Sequence, residues 1–229
     1  MPRARNPKTT AAILDAAFAL FTEKGYNGTS YADISEASGI SRPLVQKYFP
    51  KKEGLAIKNL ERIRHLSAVC AADLSLKAVT TLEKEFAIAQ IYTAALMCTE
   101  GGRVFFKDVL RDRELTHATI QNDTLWTVNF LRPEDGDSLY DNRILENSTA
   151  ALGALYETMY YCLRTGRNMD ISARLIPCLE NMAGILGVDE ASRNAVYRDF
   201  TIPRDELEAL GRRVFAQALE TPWSDEFDQ

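Results

Sequence analysis

Histidine is scarce in this chain: there are two in 229 residues, His65 and His117, far apart in sequence. A histidine-based triad or multi-histidine metal site therefore has little material to work with. No HExxH, GxSxG or Gly-rich phosphate loop occurs either. The chain is accordingly not expected to be an enzyme, and no catalytic residue, metal ligand or cofactor is assigned. The four cysteines, Cys70, Cys98, Cys162 and Cys178, are scattered and form no CxxC pair. That is the usage of buried thiols in a reducing cytoplasm, not of a disulfide framework or a zinc site. No apolar run reaches membrane-spanning length, and no apolar h-region follows the basic start MPRARNPKTT, so neither a membrane nor a secreted location is expected. Sustained alternation of apolar and polar residues is also missing, which argues against a sheet.

What is present is helical periodicity and an uneven charge. Hydrophobic residues make up 46% and charged residues 26%, the balance of a soluble protein able to bury a sizeable core. The net charge is −5, but residues 1–66 carry 11 Lys+Arg against 6 Asp+Glu, while the remainder carries 16 against 26. A basic front on an acidic body directs any polyanion partner to the front.

The stretch from Thr29 to Lys52 organises that front. Ser30 can cap a first short helix, with Asp33 in its first turn, and Ile34 and Ala37 are its inward positions. Gly39 supplies the positive φ of a sharp turn. Ser41 then caps a second helix with Pro43 in its first turn, and Pro50 ends it. Ile40, Val45 and Phe49 give this helix an apolar stripe, which leaves Arg42, Leu44, Gln46 and Lys47 to point outward. Two helices joined by a tight turn, the second short and basic, are the pattern of a helix-turn-helix. A preceding helix from Lys8 to Lys24, with Ile13, Leu14, Ala17, Phe18 and Phe21 on one face, completes a three-helix head.

AAILDAAFALFTEKGYNGTSYADISEASGISRPLVQKYFPKKEGL resembles the N-terminal domain of TetR-family transcriptional regulators. The matching signals are Ile13-Leu14, Ala16-Ala17, Phe21, Gly25-Tyr26, Thr29-Ser30, Ile34, Ala37, Gly39, Tyr48-Phe49-Pro50 and Lys52. The resemblance implies an all-α fold with three parts: a DNA-binding head with its basic arm at 1–52, a helical effector-binding and dimerisation body at 53–220, and an acidic tail at 221–229. It implies phosphate contacts from Thr29, Ser30 and Lys52, a DNA contact from Tyr48, and major-groove contacts from Arg42, Leu44, Gln46 and Lys47. Family members usually carry a small hydroxyl residue at the Leu44 position and an aromatic at the Gln46 position, so the usual phosphate contacts there are in question. Arg3 and Arg5 are candidates for a neighbouring minor groove, as basic arms elsewhere provide.

One short recognition helix covers few base pairs, so a dimer on a double-stranded, palindromic operator is expected. The apolar helices at 143–163 and 171–186 are the candidate interface, with Ile171, Leu175, Leu179, Met182 and Leu186 as a stripe that is otherwise monomer core. Pro177 should kink the second of these helices or delay its start. Glu100-Gly101-Gly102 reads as a helix break, Arg132 to Asn142 as a loop, and TPWSDEFDQ as a mobile acidic tail. Tyr92, Met97, Phe106, His117, Trp126, Tyr156 and Tyr160 are candidate contacts for a small, largely apolar effector. The expected function is a ligand-released repressor. The alternative is a DNA-binding structural or partner-recruiting protein on the same scaffold, with no effector.

Overall fold

The computed structural model describes residues 6–74, 81–131, 142–185 and 188–228. Among them all regular structure is helical, in the order α1 (Pro7–Lys24), α2 (Tyr31–Ser38), α3 (Arg42–Tyr48), α4 (Lys52–Asp73), α5 (Thr81–Met97), α6 (Glu100–Arg111), α7 (Arg113–Leu131), α8 (Asn142–Thr165), α9 (Ile171–Ile185), α10 (Glu190–Asp199) and α11 (Arg204–Glu220), closed by a 3-10 turn at Asp225–Asp228. Arg3, Arg5 and residues 132–141 of the expected loop lie outside the described residues.

Local chemistry sets the ends of the head helices. Asn6 Oδ1 accepts the Lys8 N–H at 3.0 Å, and Pro7 occupies the first position, where no N–H is needed. Ser30 and Asp33 form a reciprocal capping box, Asp33 N to Ser30 Oγ at 3.2 Å and Ser30 N to Asp33 Oδ2 at 2.6 Å. Gly39 takes φ 68, the left-handed conformation the turn requires. Two expectations fail here. Ser41 flanks α3 but makes no side-chain cap bond, and Ala37 is exposed, so Ile34 alone of α2 is buried.

The head does not close over its own core. Phe18 meets Phe105 of α6 and Phe215 of α11, with ring centroids 6.2 and 5.8 Å apart, and Phe21 stacks on Phe105 at 5.4 Å. Burying each ring stabilises the fold by roughly 1.5–3 kcal/mol, so a large part of what orders α1 comes from the body.

At the centre of the body lies α5, buried along nearly its whole length from Leu82 to Leu96. Its small residues admit close neighbours: a Cβ on Gly211 of α11 would come within 2.6 Å of the Ala94 carbonyl carbon. Gly101 and Gly102 break nothing beyond a single turn. Thr99 Oγ1 caps Gly102 N at 3.1 Å, and α6 begins at once. The helix α9 runs through Pro177 from Ile171, without the delayed start that the proline suggested. The chain reverses at Gly166, φ 71, and α8 packs on α9. No described helix is long and apolar enough to cross a membrane.

The acidic tail is docked, not free. Trp223 and Phe227 are 5% and 6% exposed, and the turn they frame packs on α4. Their i, i+4 spacing puts both rings on one side of the turn, and burying two rings outweighs the solvation of the acids between them.

Candidate nucleic-acid interface

Helix α3 is fixed from beneath and bare above. Val45 is fully buried and Phe49 is 7% exposed, so this edge anchors the helix in the head. The Tyr31 hydroxyl donates to the Phe49 carbonyl at 2.7 Å and fixes its end, while Ser35 Oγ donates to the Ile40 carbonyl at 2.6 Å and fixes the turn before it. Arg42, Leu44, Gln46 and Lys47 are all exposed, spread around the part of the helix that Val45 does not anchor. They can offer a bidentate guanidinium, an apolar contact for a thymine methyl, an amide with both donor and acceptor, and an ammonium.

The remaining candidate contacts divide. Ser30 is exposed at the start of α2. Thr29 is buried, and its hydroxyl donates to the Gly25 carbonyl at 2.8 Å. Lys52 is turned inward: Nζ donates to the carbonyls of Tyr26 at 2.7 Å and Thr29 at 2.9 Å, and lies 4.1 Å from the centre of the Tyr26 ring. Burial pulls its ammonium below the usual lysine range. Both residues brace the α1–α2 loop, a role that spends the groups expected to meet phosphate. Tyr48 is half-buried and its hydroxyl accepts the Asn6 N–H at 3.0 Å, which ties α3 to the start of α1. Lys51, one residue earlier than the lysine singled out from sequence, is the exposed cation at this corner. Helical phase separates the two: Lys51 precedes α4, whereas Lys52 opens it.

Residues 13–58 match the model of the bacterial regulatory proteins of the tetR family. The N-terminal domain belongs to the TetR family. Two Escherichia coli (strain K12) relatives align with this TetR-family domain and its surroundings. The HTH-type transcriptional repressor ComR is 36% identical over 88 residues, 38% of this chain and 40% of that protein. The HTH-type transcriptional regulator RutR is 42% identical over 52 residues, 23% of this chain and 24% of that protein. The chain thus spans less than half the length of either curated relative. A crystal structure of RolR without ligand covers 82% of this chain and 96% of its own at 16% identity, with a TM-score of 0.49.

Behind the TetR-family head, the aromatic residues expected to form one pocket are distributed among three places. Tyr92, Phe106 and Tyr156 surround a compartment of only about 30 Å³, the space of one water. Its middle is polar. Arg64 of α4 pairs with Asp123 of α7 at 2.7 Å, both buried, and Asp123 also accepts the Tyr156 hydroxyl. Glu85 of α5 accepts Thr127 Oγ1 at 2.8 Å, and burial raises its carboxyl above the usual range. The Arg64 guanidinium lies 4.3 Å from the Tyr92 ring centre and 5.6 Å from that of Trp126. This packed ionic centre replaces the apolar pocket expected there. His117, exposed and 3.1 Å from Gln121 Nε2, lines with Tyr156 a second cavity of about 510 Å³ between α6, α7 and α8. Met97 lines a third, of about 380 Å³. Tyr160 packs half-buried against the core and borders none of the three.

Proposed function

We propose that this chain is a cytoplasmic, dimeric, sequence-specific transcriptional regulator: a repressor that leaves a palindromic operator when a small effector binds. The observation that carries the reading is the exposed set Arg42, Leu44, Gln46 and Lys47 on a helix anchored by buried Val45, within a TetR-family head. Dimerisation is supported by the outer faces of α8 and α9, where Ala150, Ala154, Tyr161, Ala173 and Pro177 are exposed. Small and apolar groups there allow two helix pairs to approach closely. Ile171, Leu175 and Leu179 belong instead to the core of the protomer, and the side chains of Met182 and Leu186 lie outside the described residues. The second cavity, with Leu110, Ile120, His117 and Tyr156, suits a largely apolar effector.

Selection of bound DNA from a random library tests the reading. Two half-sites about one helical turn apart, or a multiple of it, are expected, and Gln46→Ala should relax preference at one position of each. Equal loss across all sequences would remove Gln46 from base recognition. One observation favours the alternative of a DNA-binding scaffold without effector: the aromatic centre is closed around its ion pair. A thermal-shift screen of small molecules separates the two, since persistent absence of stabilisation would leave the scaffold reading standing.

A further inference from the structure

The third cavity lies apart from both the DNA-facing residues and the cavity assigned to the effector. It opens where the end of α5, the start of α6, the α8–α9 turn and the start of α11 meet. Its volume of about 380 Å³ falls within the range of small-molecule sites, roughly 300–1,000 Å³. One part of the wall is soft and apolar, from Met97, Cys98, Cys162, Leu163, Met169 and Leu207, while the rest of the lining is polar.

Charge at its mouth is unbalanced. Three arginines from three separate segments border the cavity, Arg103, Arg167 and Arg204, against two acids, Asp170 and Glu208. Glu208 is paired, and Asp170 caps the start of α9 through one oxygen while keeping its charge. Asp170 Oδ1 accepts the Ala173 N–H at 3.0 Å, and Glu208 bridges Arg204 at 3.0 Å and Arg212 at 3.6 Å. Arg103 and Arg167 have no acidic partner among the described residues, and Arg167 lies over the Tyr161 ring, 5.6 Å from its centre. Two guanidinium forks without acid partners bordering a cavity with a sulfur-lined apolar patch are complementary to a planar anion on a short apolar body.

We propose that this cavity is a second small-molecule site and that it takes an organic monocarboxylate, with its carboxylate on Arg103 and Arg167 and its apolar body among Met97, Leu163 and Leu207. The site is connected to both ends of the molecule. Its wall residues Ser172 and Ile202 both donate to buried Gln90 Oε1, at 2.7 and 3.0 Å, so the cavity shares a hydrogen-bond node with α5. Arg103 rides on α6, whose Asp108 accepts the Asn27 N–H of the DNA-binding head at 2.9 Å. A carboxylate bridging Arg103 and Arg167 would therefore join the helix that braces the head to the α8–α9 turn.

The binding claim does not depend on the regulator reading, and its test contains no DNA. Calorimetric titration of the full chain with benzoate and hexanoate, each beside its primary amide, should show binding of the acids and not of the amides. Arg103→Ala and Arg167→Ala should each weaken it about tenfold, the effect of losing a charge-assisted hydrogen bond. Arg113→Ala, on the second cavity, should leave it unchanged. Both arginines of the site are exposed, so these variants keep the fold. As an independent readout, bound acid should shield Cys98 from alkylation at alkaline pH, followed by peptide mapping. The proposal is overturned if neither acid binds at about 10 mM. It is overturned equally if binding survives both arginine variants, or if Cys98 stays as reactive with the acid as with the amide.

Discussion

Removing one carboxylate, by Asp123→Ala, tests whether the body is held by its buried ionic centre. Asp123 and Arg64 pair at 2.7 Å with side chains 4% and 6% exposed, so the variant leaves a guanidinium buried without its partner. Breaking such a pair costs about 3–5 kcal/mol, and the Tyr156 hydroxyl loses its acceptor as well. At about 2–4 °C per kcal/mol for a chain of this size, the midpoint of thermal unfolding should fall by roughly 6–20 °C. One neighbour can soften the loss. Glu85, kept towards its neutral form by burial, faces the same guanidinium and can ionise to replace Asp123. Glu85→Gln with Asp123→Ala should therefore cost more than the sum of the two singles in urea unfolding at neutral pH. Replacing the pair together, Arg64→Met with Asp123→Leu, should recover most of the ionic loss and fall short of the parent by about 1–3 kcal/mol, for the acceptor that the Tyr156 hydroxyl still lacks. If Asp123→Ala stays within about 1 kcal/mol of the parent with and without Glu85→Gln, the ionic account is refuted. If the paired replacement is no better than the single, packing and not charge is what Asp123 supplies.

The two lysines after α3 should behave differently on operator DNA. Lys51→Met should lower the slope of log K against log salt by about one unit, and Lys52→Met should leave the slope unchanged while lowering the melting temperature of the protein; the reverse pattern would return Lys52 to the phosphate. Asp33 is held down to about pH 2, first by its hydrogen bonds with Ser30 and then by Lys24. Its folded pKa lies below the unfolded value near about 4, so its stabilisation is complete above that value and disappears as pH falls towards 2. Acid titration by circular dichroism should accordingly be shallower over that window for Asp33→Asn than for the parent, and parallel curves would remove the capping box from the acid response. Gly211→Ala places a methyl group against Ala94 and should destabilise by about 1–3 kcal/mol at unchanged denaturant m value; a loss below about 0.5 kcal/mol would mean that α5 and α11 separate without strain.

The head was the most legible part of the chain because its signals are contiguous. Ser30, Asp33, Gly39 and Pro43 each act within a few residues, so cap, turn and helix start follow from the order of residue types. Which lysine faces out was not legible, since Lys51 and Lys52 differ only in helical phase. Ala37 was misplaced because an eight-residue helix shows little more than two turns of periodicity. The ionic centre was hidden for a different reason. Arg64, Glu85 and Asp123 each look like surface charges on an amphipathic helix, and only the packing of α4, α5 and α7 reveals that they face one another. Acidic composition also concealed the docking of Trp223 and Phe227, whose apolar i, i+4 pair was the available signal.

That docking bears on what a severed head would be. The Trp223 N–H meets Asp15 of α1 at 3.0 Å, and Asp15 also accepts from Arg62 of α4. Arg62 in turn donates to the Ala218 carbonyl at 3.0 Å and lies between the rings of Phe18 and Phe227, 5.5 and 5.7 Å from their centres. Both groups that donate to Asp15 Oδ1 thus come from beyond residue 52, where the sequence suggests a domain ends. A fragment cut there would keep its helix-turn-helix motif but bare Phe18, and with it the surface that sets the angle of α1. The helix-turn-helix is a module to the eye of a sequence reader, yet α1, on which it packs, is tied down by residues from the far end of the sequence.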